Sequence, residues 1–135
     1  MVKEAGISPD RIVFYGTSLG AAVAAQLAAR RKPAMIIAEA PFHSMTDMAG
    51  LHAPFIPVSL LMKDSYQSNL ALGGLNVPLV WMHGTADGVV PFAQGKRLYE
   101  GYDGPKTAKV FEGGLHTNLW GLGGREFIIS MLEAY

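Results

Sequence analysis

Four short apolar runs, each closed by a glycine or a proline and separated by helical stretches, constrain the fold more than any other feature of the chain. They are Arg11–Gly16 (RIVFYG), Ala34–Ala40 (AMIIAEA), Pro78–Gly84 (PLVWMHG) and Thr107–Gly113 (TAKVFEG). Strict polar alternation is absent, and β-branched and aromatic residues recur, which suits strands buried on both faces. Leu19–Arg31 reads as a helix rich in alanine. Arg30, Arg31 and Lys32 lie at its C-terminal end, where the helix dipole favours cations, and Pro33 stops it. Phe92–Tyr102 and Arg125–Tyr135 are the other long helical stretches. The last is expected to turn Phe127, Ile128, Met131 and Leu132 to the core. Strands alternating with helices predict an α/β fold, a parallel sheet flanked by helices and built with right-handed crossovers.

Residues 42–76 interrupt this rhythm. They carry Pro54, Pro57 and the pair Gly73-Gly74, with short helices expected around Met45–Leu51 and Val58–Tyr66. The 135 residues suffice for a single domain and one core, with 42–76 as an excursion or cap. Half the residues are hydrophobic and 16% are charged, a folding composition. A net charge of zero argues against a nucleic-acid partner, which needs a basic field. No cysteine is present, so disulfides and thiolate sites are excluded. No apolar run nears the roughly 20 residues of a membrane-spanning helix, and the polar start MVKEAGISPD does not read as a signal peptide. A soluble, cytoplasmic protein is the expectation.

In open α/β sheets the site is built beyond the C-terminal ends of the strands. Ser18 follows the first run, Glu39 and His43 the second, His83 and Asp87 the third, and His116 the fourth. Gly16-Thr17-Ser18-Leu19-Gly20 is G-x-S-x-G between a strand and a helix, the pattern of a nucleophile elbow. Such a turn lifts the serine hydroxyl clear of the sheet, and both glycines are expected where strand and helix backbones crowd together. At the helix N-terminus the backbone N–H of Leu19 is one expected oxyanion donor. Ser18 is the candidate nucleophile, His116 its base, and Asp87 the acid that orients the imidazole. Leu19 and Thr17 beside the nucleophile, with Phe42 and Met45 of the excursion, are the candidate oxyanion and substrate-binding residues.

Together these stretches resemble the C-terminal half of the α/β-hydrolase family, its last four strands. The carriers are ISPDRIVFYGTSLGAAVAAQLA, EAPFHSMTDMA, KDSYQSN, VPLVWMHGTADGVVPFAQGKRLYE and EGGLHTNL. Within the family they are most similar to the single-domain serine hydrolases that include the fungal bud-emergence-type enzymes and the protein depalmitoylases. The resemblance implies Ser18, Asp87 and His116 as the triad. At the last site Gly114-Leu115-His116-Thr117 departs from the Gly-Gly-His-Asn frequent in related sequences. The family's earlier strands and helices, and the loop that gives a second oxyanion donor, have no counterpart here. Losing one such donor lowers rates about 10²- to 10³-fold in other enzymes. The Arg11–Gly16 strand is then expected at a sheet edge, open to self-association into a homo-oligomer.

Several readings stay open at this level. Glu39 is a rival to Asp87 as acid. His83 reads as structural, and His43 and His52 as lining or capping the excursion. No histidine pair has H-x₃-H spacing, so no metal is expected, and the hydrolase reading implies no other cofactor. Phe42, Met45, Met48, Leu51, Phe55, Ile56, Leu60, Leu61 and Met62 serve either as packing over the sheet or as an apolar acyl pocket. The functional expectation is a serine hydrolase acting on a small carboxylic ester or thioester. The rival is a non-catalytic, hydrolase-like module for assembly or binding.

Overall fold

The computed structural model of the protein describes residues 5–52 and 66–135. Four parallel strands make one sheet in the order β1 (Val13–Thr17), β2 (Met35–Glu39), β3 (Leu79–Gly84), β4 (Lys106–Phe111). Helices join them: α1 (Leu19–Arg30) between β1 and β2, then α2 (Met45–His52) and α3 (Ser68–Leu72) before β3. Next come α4 (Phe92–Gly101) between β3 and β4, and α5 (Gly124–Ala134) after β4. This is the sheet-and-helix architecture expected from the sequence, a partial α/β-hydrolase core.

The two central strands are buried at every position, as double-sided cover of a parallel sheet requires. Ile36, Ala38 and Leu79 face one layer, packed against Ala21, Ala25 and Ala28 of α1, Leu72 of α3, and Leu98 and Tyr102. Met35, Ile37, Val80 and Met82 face the other, against Phe111, Leu119 and Ile128 of α5. The alanines let α1 lie close on the sheet, so composition and packing explain each other. Tyr102 ties the first layer: its hydroxyl accepts from Val77 N–H at 3.1 Å and donates to the carbonyl of Leu75 or Val77.

Several boundaries and faces differ from expectation. Pro9–Arg11 form a 3₁₀ turn, so β1 begins at Val13 and runs on to Thr17. Neither outer strand is buried on both faces. In β4 only Phe111 is buried, and Lys106 and Lys109 occupy the exposed edge, where charge discourages strand pairing. In β1 only Gly16 is buried. Tyr15, with Leu19, Val23 and Leu27 of α1, stays exposed along that flank. On α5, Ile128 is buried and Phe127 and Met131 pack beside it, but Leu132 is exposed. Helix α3 was not foreseen, since five residues before a Gly-Gly pair carry too little periodicity. The expected helix at Val58–Tyr66 lies outside the described residues except for Tyr66. Phe55, Ile56, Leu60, Leu61, Met62 and the His52 side chain also lie outside them.

Candidate active site

Parallel strands deliver their following turns to one rim. There Ser18 has φ 53° and ψ −116°, a backbone region that L-residues rarely adopt. The turn is held by Ser18 N–H donating to Glu39 O at 2.8 Å, and by Ala21 N–H returning to Ser18 O at 3.0 Å. A Cβ on Gly16 would lie 2.2 Å from Gly20 O, so only glycine lets the strand meet the helix backbone here. Gly20 itself meets nothing within 4 Å. The expected crowding therefore holds for the first glycine and not the second, which sits on the exposed side of the first helical turn. The N–H of Leu19, in that first turn, has no helical carbonyl to bind.

Asp87 is buried in the turn after β3. Its Oδ1 accepts from Val89 N–H at 2.9 Å and Val90 N–H at 2.8 Å. Its Oδ2 lies 2.8 Å from Nδ1 of His116. A carboxylate only accepts, so Nδ1 of His116 is the proton-bearing nitrogen of this bond, and in the neutral ring Nε2 keeps the lone pair. No hydrogen bond joins Ser18 to His116. Catalytic bonds of this type are often long without substrate and tighten in the reacting complex.

The turns bearing Asp87 and His116 are stitched together. Thr85 N–H donates to Phe111 O at 3.0 Å, Ala86 N–H to Gly114 O at 3.0 Å, and Gly113 N–H to Thr85 Oγ1 at 2.8 Å. Thr85 was not singled out from the sequence, because a threonine in a turn carries no signal of cross-loop pairing. Gly84 permits this closeness: a Cβ there would lie 2.1 Å from Gly114 O. Gly84→Ala is expected to destabilise the fold by about 3 kcal/mol, the upper range of overpacking, or roughly 10 °C in Tm at this size. Calorimetry checks it, and an unchanged Tm contradicts the contact.

Ser18 and Leu19 open onto a cavity of about 240 Å³ lined by Phe42, Met45, Met48, Ala49, Val89 and Val90. Phe42 gets there through a second strained residue, Ala40 at φ 46°, whose N–H donates to Met82 O. Nothing in the sequence marks that bend except Pro41. Thr17 turns elsewhere. Its hydroxyl lies 3.4 Å from Glu39 Oε2, which also accepts from the Tyr15 hydroxyl. Burial and this carboxylate push the Tyr15 phenol above its ordinary pKa. Glu39 thus faces the α5 side of the sheet with Tyr15 and Thr17, while Asp87 holds His116. His83 is fully buried, and His43 pairs with Asp47 at 3.2 Å, which also binds Arg97. A larger cavity of about 430 Å³, between α3 and α4, includes His43 and Arg97 but not Ser18. Among the described residues no histidine, aspartate or glutamate cluster could hold a metal ion, and no helix is long and apolar enough to cross a membrane.

No protein-family model matches the chain. An uncharacterized protein of Mycobacterium tuberculosis is 34% identical over 122 residues, covering 90% of this chain and 43% of that protein. Alpha/beta hydrolase domain-containing protein 17C of Homo sapiens is 31% identical over 96 residues, covering 70% of this chain and 28% of its own length. The chain therefore spans less than half the length of these relatives. Among solved structures, the acetyl xylan esterase of Paenibacillus sp. R4 superposes with a TM-score of 0.77 at 18% identity, over 96% of this chain and 46% of the esterase. The monoacylglycerol lipase of Paleococcus ferrophilus gives 0.71 at 18%, over 97% and 70%. The acylaminoacyl peptidase of Pyrococcus horikoshii gives 0.76 at 13%, over 97% and 25%. The chain has an α/β-hydrolase-superfamily fold, related to those of esterases, lipases and peptidases and to the alpha/beta hydrolase domain-containing protein 17 group.

Proposed function

We propose that this chain is a serine hydrolase that cleaves carboxylic esters or thioesters of small apolar acyl groups. One observation carries the reading: a bonded Asp87–His116 pair shares a sheet rim with a serine in a strained strand–helix turn that opens onto an apolar cavity. Ser18 Oγ attacks the acyl carbonyl as His116 Nε2 takes its proton. The oxyanion forms at the N-terminus of α1, where the Leu19 N–H is free to donate. His116 then protonates the leaving alcohol or thiol, and water releases the acyl group by the same roles in reverse. No cofactor takes part. The cavity is smaller than drug-sized pockets, which start at about 300 Å³, and its Phe, Met and Val lining suits a short acyl chain.

A fluorophosphonate probe tests this directly, since only an activated serine is phosphonylated. The expected result is one adduct per chain on the peptide containing Ser18, abolished by prior denaturation. A folded chain that stays unlabelled overturns the reading.

A second reading is favoured by β1, which among the described residues pairs only with β2, with Tyr15 exposed on it and Leu19, Val23 and Leu27 exposed on α1. It makes the chain an assembly module whose edge pairs with a second copy. An unlabelled chain that elutes as a dimer supports it, and a labelled monomer excludes it.

A further inference from the structure

His83, next to last in β3, is fully buried, and the proposed reaction gives it no step. Its Nε2 is 2.9 Å from the carbonyl oxygen of Val90 and 3.4 Å from Oδ2 of Asp87. A carbonyl only accepts, so Nε2 carries the proton. Nδ1 is then the acceptor nitrogen, and it is buried without a partner among the described residues. It faces Gly95 of α4, where a Cβ would come within 2.1 Å of it. Phe92 meets the ring edge-on at 5.6 Å, and Trp81 lies against it at 5.7 Å. Burial holds the imidazole below its ordinary pKa, against the opposing pull of the Val90 carbonyl and Asp87. The ring is thus a neutral donor fixed in one tautomer.

What it grips is the turn that aims the acid. Asp87 Oδ1 holds the N–H of Val90, and His83 holds the C=O of the same residue. With Oδ1 occupied by two backbone donors, Oδ2 meets His116 at 2.8 Å and lies 3.4 Å from His83 Nε2. Val89 and Val90 are also walls of the cavity at Ser18. One hydrogen bond from His83 therefore bears on both the acid and the pocket.

We propose that His83 is a positioning residue: through the Val90 carbonyl it locks the Asp87 turn, so that Oδ2 aims at His116 and Val90 stays against the acyl cavity. This rests on the serine-hydrolase reading. A histidine that merely fills the core predicts something different, because its volume alone would matter.

The test uses the intact chain and two variants. His83→Gln retains an N–H donor near the Nε2 position, whereas His83→Leu retains bulk and removes the donor. Two quantities are read: the downfield NMR signal of the His116 Nδ1 proton bound to Asp87, and kcat and KM for p-nitrophenyl acetate. The wild type and His83→Gln are expected to show the signal, with kcat alike within about threefold. His83→Leu is expected to lose the signal to exchange and to drop kcat about tenfold, the worth of one hydrogen bond. The proposal is overturned if His83→Leu keeps both signal and kcat, if the two variants lose them equally, or if the wild type lacks the signal. Should His83→Leu not fold, ¹⁵N spectra of the wild-type ring decide. A proton on Nε2 alone at neutral pH supports the proposal, and a proton on Nδ1 overturns it. A wild type with the signal but no ester hydrolysis sinks the serine-hydrolase reading and leaves the His83 assignment standing on the resonance.

Discussion

The Ser18→Ala chain is expected to hydrolyse p-nitrophenyl acetate about 10⁴- to 10⁶-fold more slowly than the parent, the range seen when a serine nucleophile is removed elsewhere. The change deletes one atom, and that oxygen makes no capping bond to α1. The strained turn is held by backbone groups, Ser18 N–H to Glu39 O and Ala21 N–H to Ser18 O, which alanine preserves. Stability should therefore stay within about 0.5 kcal/mol of the parent, as for substitutions away from packed or bonded features. The pairing of a large kinetic loss with an unchanged Tm is the signature of a nucleophile. Equal turnover by both chains would place the chemistry at another residue.

Asp87→Asn should cost about 10⁴-fold in kcat, for a reason that can be read from the hydrogen bonds. Oδ1 accepts from two backbone N–H groups, so an asparagine keeps its carbonyl oxygen there. Its NH₂ then takes the place of Oδ2, 2.8 Å from Nδ1 of His116. A donor now faces a donor, and His116 is driven to the tautomer with its proton on Nε2. That nitrogen can no longer take the proton of Ser18. The turn keeps both Oδ1 bonds, so the variant should fold, and steady-state kinetics at fixed pH measure the loss. A loss under tenfold would mean that Asp87 does not set the tautomer.

Much of the sheet was legible because strand propensity and apolar runs are local properties. MIIAE and LVWMHG are apolar except at Glu39 and His83 and are buried throughout. The same logic over-read TAKVFEG, whose side chains are equally apolar in part, because burial of β4 depends on what lies beside it. The strand–helix turn at Ser18 was legible from five residues, but the need for each glycine was not. Gly16 is pinned by a backbone contact that only the folded chain creates, and Gly20 is free. The strained Ala40, and the distant backbone groups that the Thr85 hydroxyl and the His83 imidazole bind, are set by where the chain passes and not by any local pattern.

The sequence by itself determined the alternation of strands and helices, and with it that Ser18, an acid and His116 would reach one rim in chain order, since every parallel strand ends on the same side. It left two acids, Glu39 and Asp87, in contention for one histidine. Only the tertiary structure shows which of them meets His116. Register sets Glu39 beside Thr17 on the α5 face, where Tyr15 binds its carboxylate. The turn after β3, closed by its own backbone N–H groups, carries Asp87 to a residue 29 positions away. A partner at that separation is chosen by strand pairing and loop closure, which act on the whole sheet at once.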